Sequence, residues 1–217
     1  MRIGVLGTGR VGRTLGSGFA AAGHHVVIGS RTSDSPSAVD WAAETGGEAG
    51  YGTFAAAARH AEVLVNCTPG AVSLEAIGAC AAADLDGKVL VDVANPLDSA
   101  EGFPPTLTVC NDDSLAEQIQ RAHPSLQVVK TLNTVNASVM TNPAQLSGDH
   151  TLFLSGDHEP AKATVLGLLA DLGWRREQVL DLGGVETARG PEMYLALWIR
   201  MMPTLGTPTF NIAIARP

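Results

Sequence analysis

Ile3-Gly4-Val5-Leu6-Gly7-Thr8-Gly9-Arg10-Val11-Gly12 decides the fold, together with the next two segments of the chain: a stretch of helical spacing (Val11, Leu15, Phe19, Ala22) closing at Gly23, then Val26-Val27-Ile28-Gly29-Ser30-Arg31. Read in order these are strand, glycine turn, helix and second strand, the opening βαβ unit of a dinucleotide-binding fold. Each glycine has its own task. Gly7 permits the tight turn off the strand, Gly9 lets the backbone approach a pyrophosphate, and Gly12 lets the helix pack closely on the sheet. The helix after the turn aims unpaired N–H groups and its positive dipole end at that pyrophosphate.

The end of the second strand selects the nucleotide. An acidic side chain there would accept hydrogen bonds from a ribose 2′-OH and repel a 2′-phosphate. This chain has Ser30-Arg31-Thr32 instead. Two hydroxyls and a guanidinium suit a phosphate, which favours NADP(H) over NAD(H). The competing reading makes Arg31 an ordinary solvated turn residue.

Composition narrows the classes. The 217 residues suffice for one well-buried domain plus a small appendage, and not for a second large catalytic domain. A net charge of −8, from 14 Lys+Arg against 22 Asp+Glu, argues against nucleic acid or an anionic membrane as partner, so Arg10, Arg13 and Arg31 stand out as local positive charge. Cys67, Cys80 and Cys110 are odd in number and widely spaced, which reads as reduced, small apolar residues of a cytoplasmic protein without a metal centre. The N-terminal apolar run is only a strand long, so it is expected to be neither signal peptide nor membrane span.

Further along, Val63 to Cys67 and Lys88 to Val93 read as buried parallel strands. They end at Cys67-Thr68-Pro69-Gly70 and Ala94-Asn95-Pro96. Ligands of doubly wound sheets lie outside the carboxyl ends of the strands, so these two ends are expected to border the nicotinamide, unless they are plain strand terminators. Helices are expected at Ala38 to Thr45, Phe54 to His60 (capped by Thr53), from Gly70 through Leu74, Ile77 and Leu85, and at Ser114 to His123, with an irregular loop over Ser99 to Asn111. After the strand Leu126 to Thr131 comes Leu132-Asn133-Thr134-Val135-Asn136-Ala137-Ser138. Its amides and hydroxyls either bond a ligand or cap the helix near Ser138 to Met140. Lys130, just before this run, reads as a strand-end charge or a contact for a substrate anion.

The last third predicts a strand at His150 to Ser155, a helix over Pro160 to Leu172, a strand at Val179 to Leu182, and a helix from Val185 to Met202. That helix is apolar over too wide a stripe to face solvent, which predicts a homodimer. The tail Pro203 to Pro217 is expected to dock. The fold class that results is α/β: a Rossmann-type, doubly wound, mostly parallel sheet over residues 1–182, with a small helical C-terminal extension over 183–217.

The glycine turn, the Ser30-Arg31 pair, the strand end before Pro69 and Asn133-Thr134-Val135-Asn136-Ala137 together resemble the family of coenzyme-F420-dependent NADP oxidoreductases over nearly the whole chain. The resemblance implies one Rossmann domain, a small extension and a homodimer. It implies that Thr8 to Val11 and Ser30-Arg31 hold NADP and that Asn133 to Ala137 border the deazaflavin. The better-known family members have a basic residue where this chain has Ser35, and His and Pro where it has Asn133 and Asn136. The architecture also resembles the NADPH-oxidising domain of membrane ferric reductases, which pass hydride to a flavin. No catalytic residue is assigned: hydride transfer between two conjugated rings needs close approach and little else. The other readings are an NADPH-dependent reductase of a small carbonyl or imine, which needs a protein acid, and a non-catalytic NADPH-binding regulator.

Overall fold

Four of the five residues of β1 (Arg2–Leu6) are buried, and their side chains alternate between two cores. Ile3 and Val5 join Leu15, Phe19 and Trp41 on one face, while Leu6 joins Ala57, Ile77 and Ile119 on the other. That two-sided burial is what a continuous apolar strand requires, and each fully buried aliphatic side chain contributes roughly 1.5–3 kcal/mol. The computed structural model describes residues 1–215.

The elements follow in chain order: α1 (Arg10–Ala21), β2 (His25–Ser30), α2 (Pro36–Thr45), β3 (Gly50–Thr53), α3 (Phe54–His60), β4 (Val63–Asn66), α4 (Gly70–Gly78), α5 (Ala82–Leu85) and β5 (Val89–Asp92). Then come β6 (Leu97–Asp98), β7 (Thr106–Leu107), α6 (Leu115–Ala122), β8 (Gln127–Thr131), α7 (Ala137–Thr141), β9 (Leu152–Ser155), α8 (Glu159–Asp171), β10 (Val179–Asp181) and α9 (Arg189–Leu205). Eight strands form one sheet in the order β10-β9-β8-β5-β4-β1-β2-β3. Every pairing is parallel except β8 with β9. The chain winds outward from β1 to β3, then returns to β4 on the other side of β1. In doubly wound sheets ligands bind where the strand order reverses, which here is at the carboxyl ends of β1 and β4. The expected doubly wound, mostly parallel sheet is therefore the observed one.

Several elements differ from the expectation. β3 was not foreseen, because Gly50-Tyr51-Gly52-Thr53 carries two glycines and one large side chain, yet it pairs with β2 as the edge strand. The single helix expected from Gly70 through Leu85 is two, α4 and α5, parted after Gly78, and Leu74 on it is exposed. Within the expected irregular loop, β7 pairs antiparallel with β6. The last helix begins as a 3₁₀ turn at Val185–Ala188 and continues through Pro203 to Leu205, ending where Gly206 turns left-handed (φ 67°). Proline costs that last turn one N–H bond, but its fixed φ is itself helical.

The C-terminal segment is tied to the sheet. The Arg189 guanidinium on α9 donates from Nε to Glu117 Oε2 on α6 at 2.8 Å. Phe210 stacks on Trp198 with ring centroids 5.1 Å apart, and the Thr151 amide donates to the Ile212 carbonyl at 2.8 Å. The tail is docked up to there, while Arg216 and Pro217 lie outside the described residues. No helix among the described residues is long and apolar enough to cross a membrane.

Candidate functional site

At the glycine turn two glycines serve the fold and one does not. Gly7 has φ 120°, its amide donates to the Gly29 carbonyl at 2.9 Å, and a Cβ there would lie 2.8 Å from the Cys67 carbonyl oxygen. A Cβ on Gly12 would collide with the Gly7 carbonyl oxygen. Gly9 is exposed, with extended backbone, and a Cβ there would meet nothing within 4 Å. Nothing in the protein requires glycine at that position. Gly9 also stands at the N-cap of α1 with no side-chain cap, so the helix's first N–H groups stay open to an anion.

β2 carries the specificity residues to the same place, since Leu6 pairs with Gly29. Ser30 is buried, and its hydroxyl donates to the Thr32 carbonyl at 2.5 Å and accepts from the Thr32 amide at 3.2 Å. It shapes the turn. Arg31 and Thr32 are exposed, as are Arg10 and Arg13, and none of these arginines has an ion-pair partner among the described residues. Thr8 and Val11 are half-buried beside them.

The ends of β4, β5 and β8 are built differently. Asn66 Oδ1 accepts from the Thr68 amide at 3.2 Å and the Thr68 hydroxyl at 2.7 Å, while its Nδ2 donates to Ser73 Oγ at 3.1 Å and to Asp92 Oδ1 at 2.9 Å. Asp92 also accepts from the Ala94 amide at 3.2 Å. Lys130 is fully buried, and its ammonium donates to Asp92 Oδ2 at 2.8 Å, the Ala94 carbonyl at 2.5 Å and Glu192 Oε1 at 2.7 Å. Glu192, reaching in from α9, accepts from the Leu115 and Ala116 amides at 2.8 and 3.2 Å. Burial pushes the Lys130 ammonium down, and the charges of Asp92 and then Glu192 outweigh this and hold it above its ordinary value. Lys130 is thus a strand-end charge, as one reading had it, but a buried and fully bonded one rather than a substrate contact. It sits on a central strand whose end is roofed by α9, and all three of its protons are engaged.

These bonds bring the expected strand ends together. Gly70 lies so close to the Asn95 carbonyl that a Cβ would collide with it, which locks the turn at Thr68 and exposed Pro69 against buried Ala94 and Pro96. Asn95 and Asn133 bond reciprocally: Asn95 Nδ2 donates to the Asn133 carbonyl and Asn133 Nδ2 to Asn95 Oδ1, both at 2.9 Å. The chain turns into that run through Leu132, whose φ of 62° is strained for a branched side chain. Thr134 is buried, and its hydroxyl has no partner among the described residues. Asn136 caps α7, its Oδ1 accepting from the Ser138 amide at 3.0 Å, and Ala137 is buried behind it. Cys67 stands at the junction, and loss of solvation together with the Asp92 charge pushes its thiol well above the ordinary range. A depression of about 610 Å³ opens elsewhere, beside β10 (His150, Arg176, Asp181), and is lined by none of the expected residues.

Sequence reading missed Asn66, Ser73, Asp92 and Glu192. A signal existed for two of them, since Asn66 and Asp92 are polar residues closing the apolar runs of adjacent strands, where β4 and β5 pair them directly.

A parallel core of this strand order, with an uncapped glycine turn at its switch point, defines a Rossmann-type nucleotide-binding protein. Residues 2–96 match the family described as NADP oxidoreductase, coenzyme F420-dependent. An F420-dependent NADP reductase of Methanothermobacter marburgensis is 30% identical over 215 residues, 93% of this chain and 92% of that protein. A crystal structure from Arthrobacter sp. FB24, described provisionally as an F420-dependent NADP-reductase, superposes with a TM-score of 0.94 at 49% identity, covering 100% of both chains. The chain belongs to the family of coenzyme-F420-dependent NADP oxidoreductases. The rat metalloreductase STEAP3 is 28% identical over 96% of this chain, which spans only 38% of that protein's length.

Proposed function

We propose that this protein exchanges hydride between NADP(H) and a conjugated ring, coenzyme F420 or a flavin. The observation that carries the nucleotide half is Gly9, a glycine that the fold does not need, at an uncapped helix N-terminus beside Arg10 and Arg31, which have no ion-pair partner among the described residues. In this reading Gly7, Thr8, Gly9, Arg10, Val11 and Gly12 cradle the pyrophosphate. Arg31 and Thr32 take the 2′-phosphate on the turn that Ser30 shapes. Cys67, Thr68, Pro69, Ala94, Asn95, Pro96, Asn133, Thr134, Asn136 and Ala137 frame the nicotinamide end, where the unpartnered Thr134 hydroxyl awaits a polar group. The cofactor itself supplies the hydride.

The acceptor follows from what the strand ends lack. Reduction of a carbonyl or imine needs a protein acid within reach of the reduced atom. Asp92, Lys130 and Glu192 are bonded to one another and closed to solvent, so none is free to donate. A flat ring asks only to be stacked. That Asn133 and Asn136 stand where better-known family members have His and Pro keeps a flavin as an alternative to F420. Mixing the purified protein with NADPH and, separately, F420, FMN, FAD and a panel of small ketones, while following NADPH loss, tests both halves. Turnover with F420 or a flavin supports the proposal. Turnover only with ketones, or tight NADPH binding without turnover, overturns it in favour of a carbonyl reductase or a regulator.

The 183–217 segment we read as the extension that completes a homodimer. Leu197 and Leu205 on α9 are more than half exposed, and Met193 one turn before Leu197 is open too. Sedimentation of Leu197→Glu should give a monomer where the native chain gives a dimer. The three unpaired cysteines suit a reducing cytoplasm.

A further inference from the structure

We propose that the buried Asp92–Lys130–Glu192 cluster biases the site toward the oxidised nicotinamide, which makes the chain a stronger hydride donor than the free cofactor. The inference rests on the reading that NADP(H) lies across the ends of β4 and β5. Two carboxylates and one ammonium sum to one negative charge, and all three side chains are at most 2% exposed. The Lys130 ammonium lies between them, 2.8 Å from Asp92 Oδ2 and 2.7 Å from Glu192 Oε1. The amides of Leu115 and Ala116, at the N-terminus of α6, offset about half a charge on Glu192. Asp92 has no such helix end. Its remaining partners, the Asn66 amide group and the Ala94 amide, orient dipoles toward its charge without cancelling it.

The placement matters as much as the sum. Asp92 is the last residue of β5 and is bonded to Ala94, the first residue of the turn expected beneath the ring. The oxidised nicotinamide carries a positive charge that the reduced ring lacks. A fixed negative charge within a poorly solvated sheet end therefore binds the two forms unequally, and no water can rearrange to erase the difference. Whatever favours the oxidised form also favours the loss of hydride that produces it.

The test is a pair of affinities, NADP⁺ and NADPH titrated separately into the full chain by calorimetry, for the native protein, Glu192→Gln, Asp92→Asn and the charge-conserving Glu192→Asp. The ratio Kd(NADP⁺)/Kd(NADPH) should rise roughly threefold to tenfold in Glu192→Gln, and further in Asp92→Asn, as a unit charge is removed at intermediate dielectric. It should stay near the native value in Glu192→Asp. Binding of 2′-phospho-ADP-ribose, which has no nicotinamide, should be equal in all four. If Asp92→Asn does not fold, the two Glu192 variants decide the matter. An unchanged ratio with both forms still bound overturns this inference alone. A native protein that binds neither form overturns the NADP(H) reading, and this inference with it.

Discussion

Gly9 and Arg10 at the glycine turn and Arg31 at the end of β2 are exposed, and the two arginines have no ion-pair partner among the described residues, whereas Asn66, Asp92 and Lys130 at the neighbouring strand ends, with Glu192 from α9, spend their donors on one another and on nearby backbone and hydroxyl groups. The first region is built from backbone and unspent charge, which leaves its binding capacity for the anionic half of a dinucleotide. The second has spent its polar groups on a rigid frame that holds two turns and α9 in register. A site that must grip phosphates and also present an unadorned ring needs both kinds of construction.

The sharpest way to break this contrast is Lys130→Met. It leaves the two buried carboxylates that Lys130 joins without a counter-charge, and removing one partner of a buried charge network costs about 3–5 kcal/mol. Urea unfolding should show a loss of that size. A loss below ~1 kcal/mol would mean that the frame is not held by charge. Gly12→Ala and Gly9→Ala come next, as a matched pair within one turn. The first puts a methyl into the Gly7 carbonyl and should cost about 1–3 kcal/mol of stability or more. The second meets no protein atom, so stability should change by less than ~0.5 kcal/mol. Its NADPH affinity should nonetheless fall at least about tenfold, as the new methyl fills the space that glycine leaves to the pyrophosphate. Equal unfolding midpoints for the two variants would remove the distinction between a fold glycine and a ligand glycine.

Arg31→Ala probes the open region by charge. NADPH should weaken by roughly tenfold or more, the loss of one charge-assisted contact to phosphate, while NADH changes little. Equal losses for the two nucleotides would take the 2′-phosphate away from Arg31.

The two regions also differed in how far sequence revealed them. β1, the turn, α1 and β2 were legible because each glycine answers a local demand and because strand and helix differ in period. Arg31 was legible from its position at a strand end. Asn133 and Asn136 could be flagged as polar, and capping of the helix near Ser138 was one of the two readings of their run, which Asn136 fulfils on α7, whereas the pairing of Asn133 with Asn95 across the ends of β5 and β8 was not legible. The Lys130 cluster was invisible, because its three members are 38 and 62 residues apart along the chain and meet only through sheet order and the docking of α9. β3 was hidden by its glycines. The antiparallel β9 was foreseen as a strand but not in direction, since direction depends on the connection rather than on the strand's own residues.

An exposed ion pair supplies the smallest effect and the best contrast to the buried cluster. Arg121 donates to Asp113 from both terminal nitrogens, at 3.0 and 2.8 Å, just before α6, whose N-terminus holds Glu192. The guanidinium is the main cause that lowers the Asp113 carboxyl to about 2, against an ordinary value of 3.8. A depressed carboxylate contributes stability above its unfolded pKa and loses it as pH falls through the folded one, so the benefit is full above about pH 4 and fades toward pH 2. Arg121 is 59% exposed, so solvent screens the pair and leaves it a small contribution to stability. Arg121→Ala should therefore lower the urea midpoint only slightly at pH 7, less at pH 3, and less again in molar salt. Lys130→Met should keep most of its cost in the same salt, because the buried charges it strands are out of reach of ions. If the two losses fell together with salt, the cluster would be solvated, and the contrast between an open and a closed half of the site would fail with it.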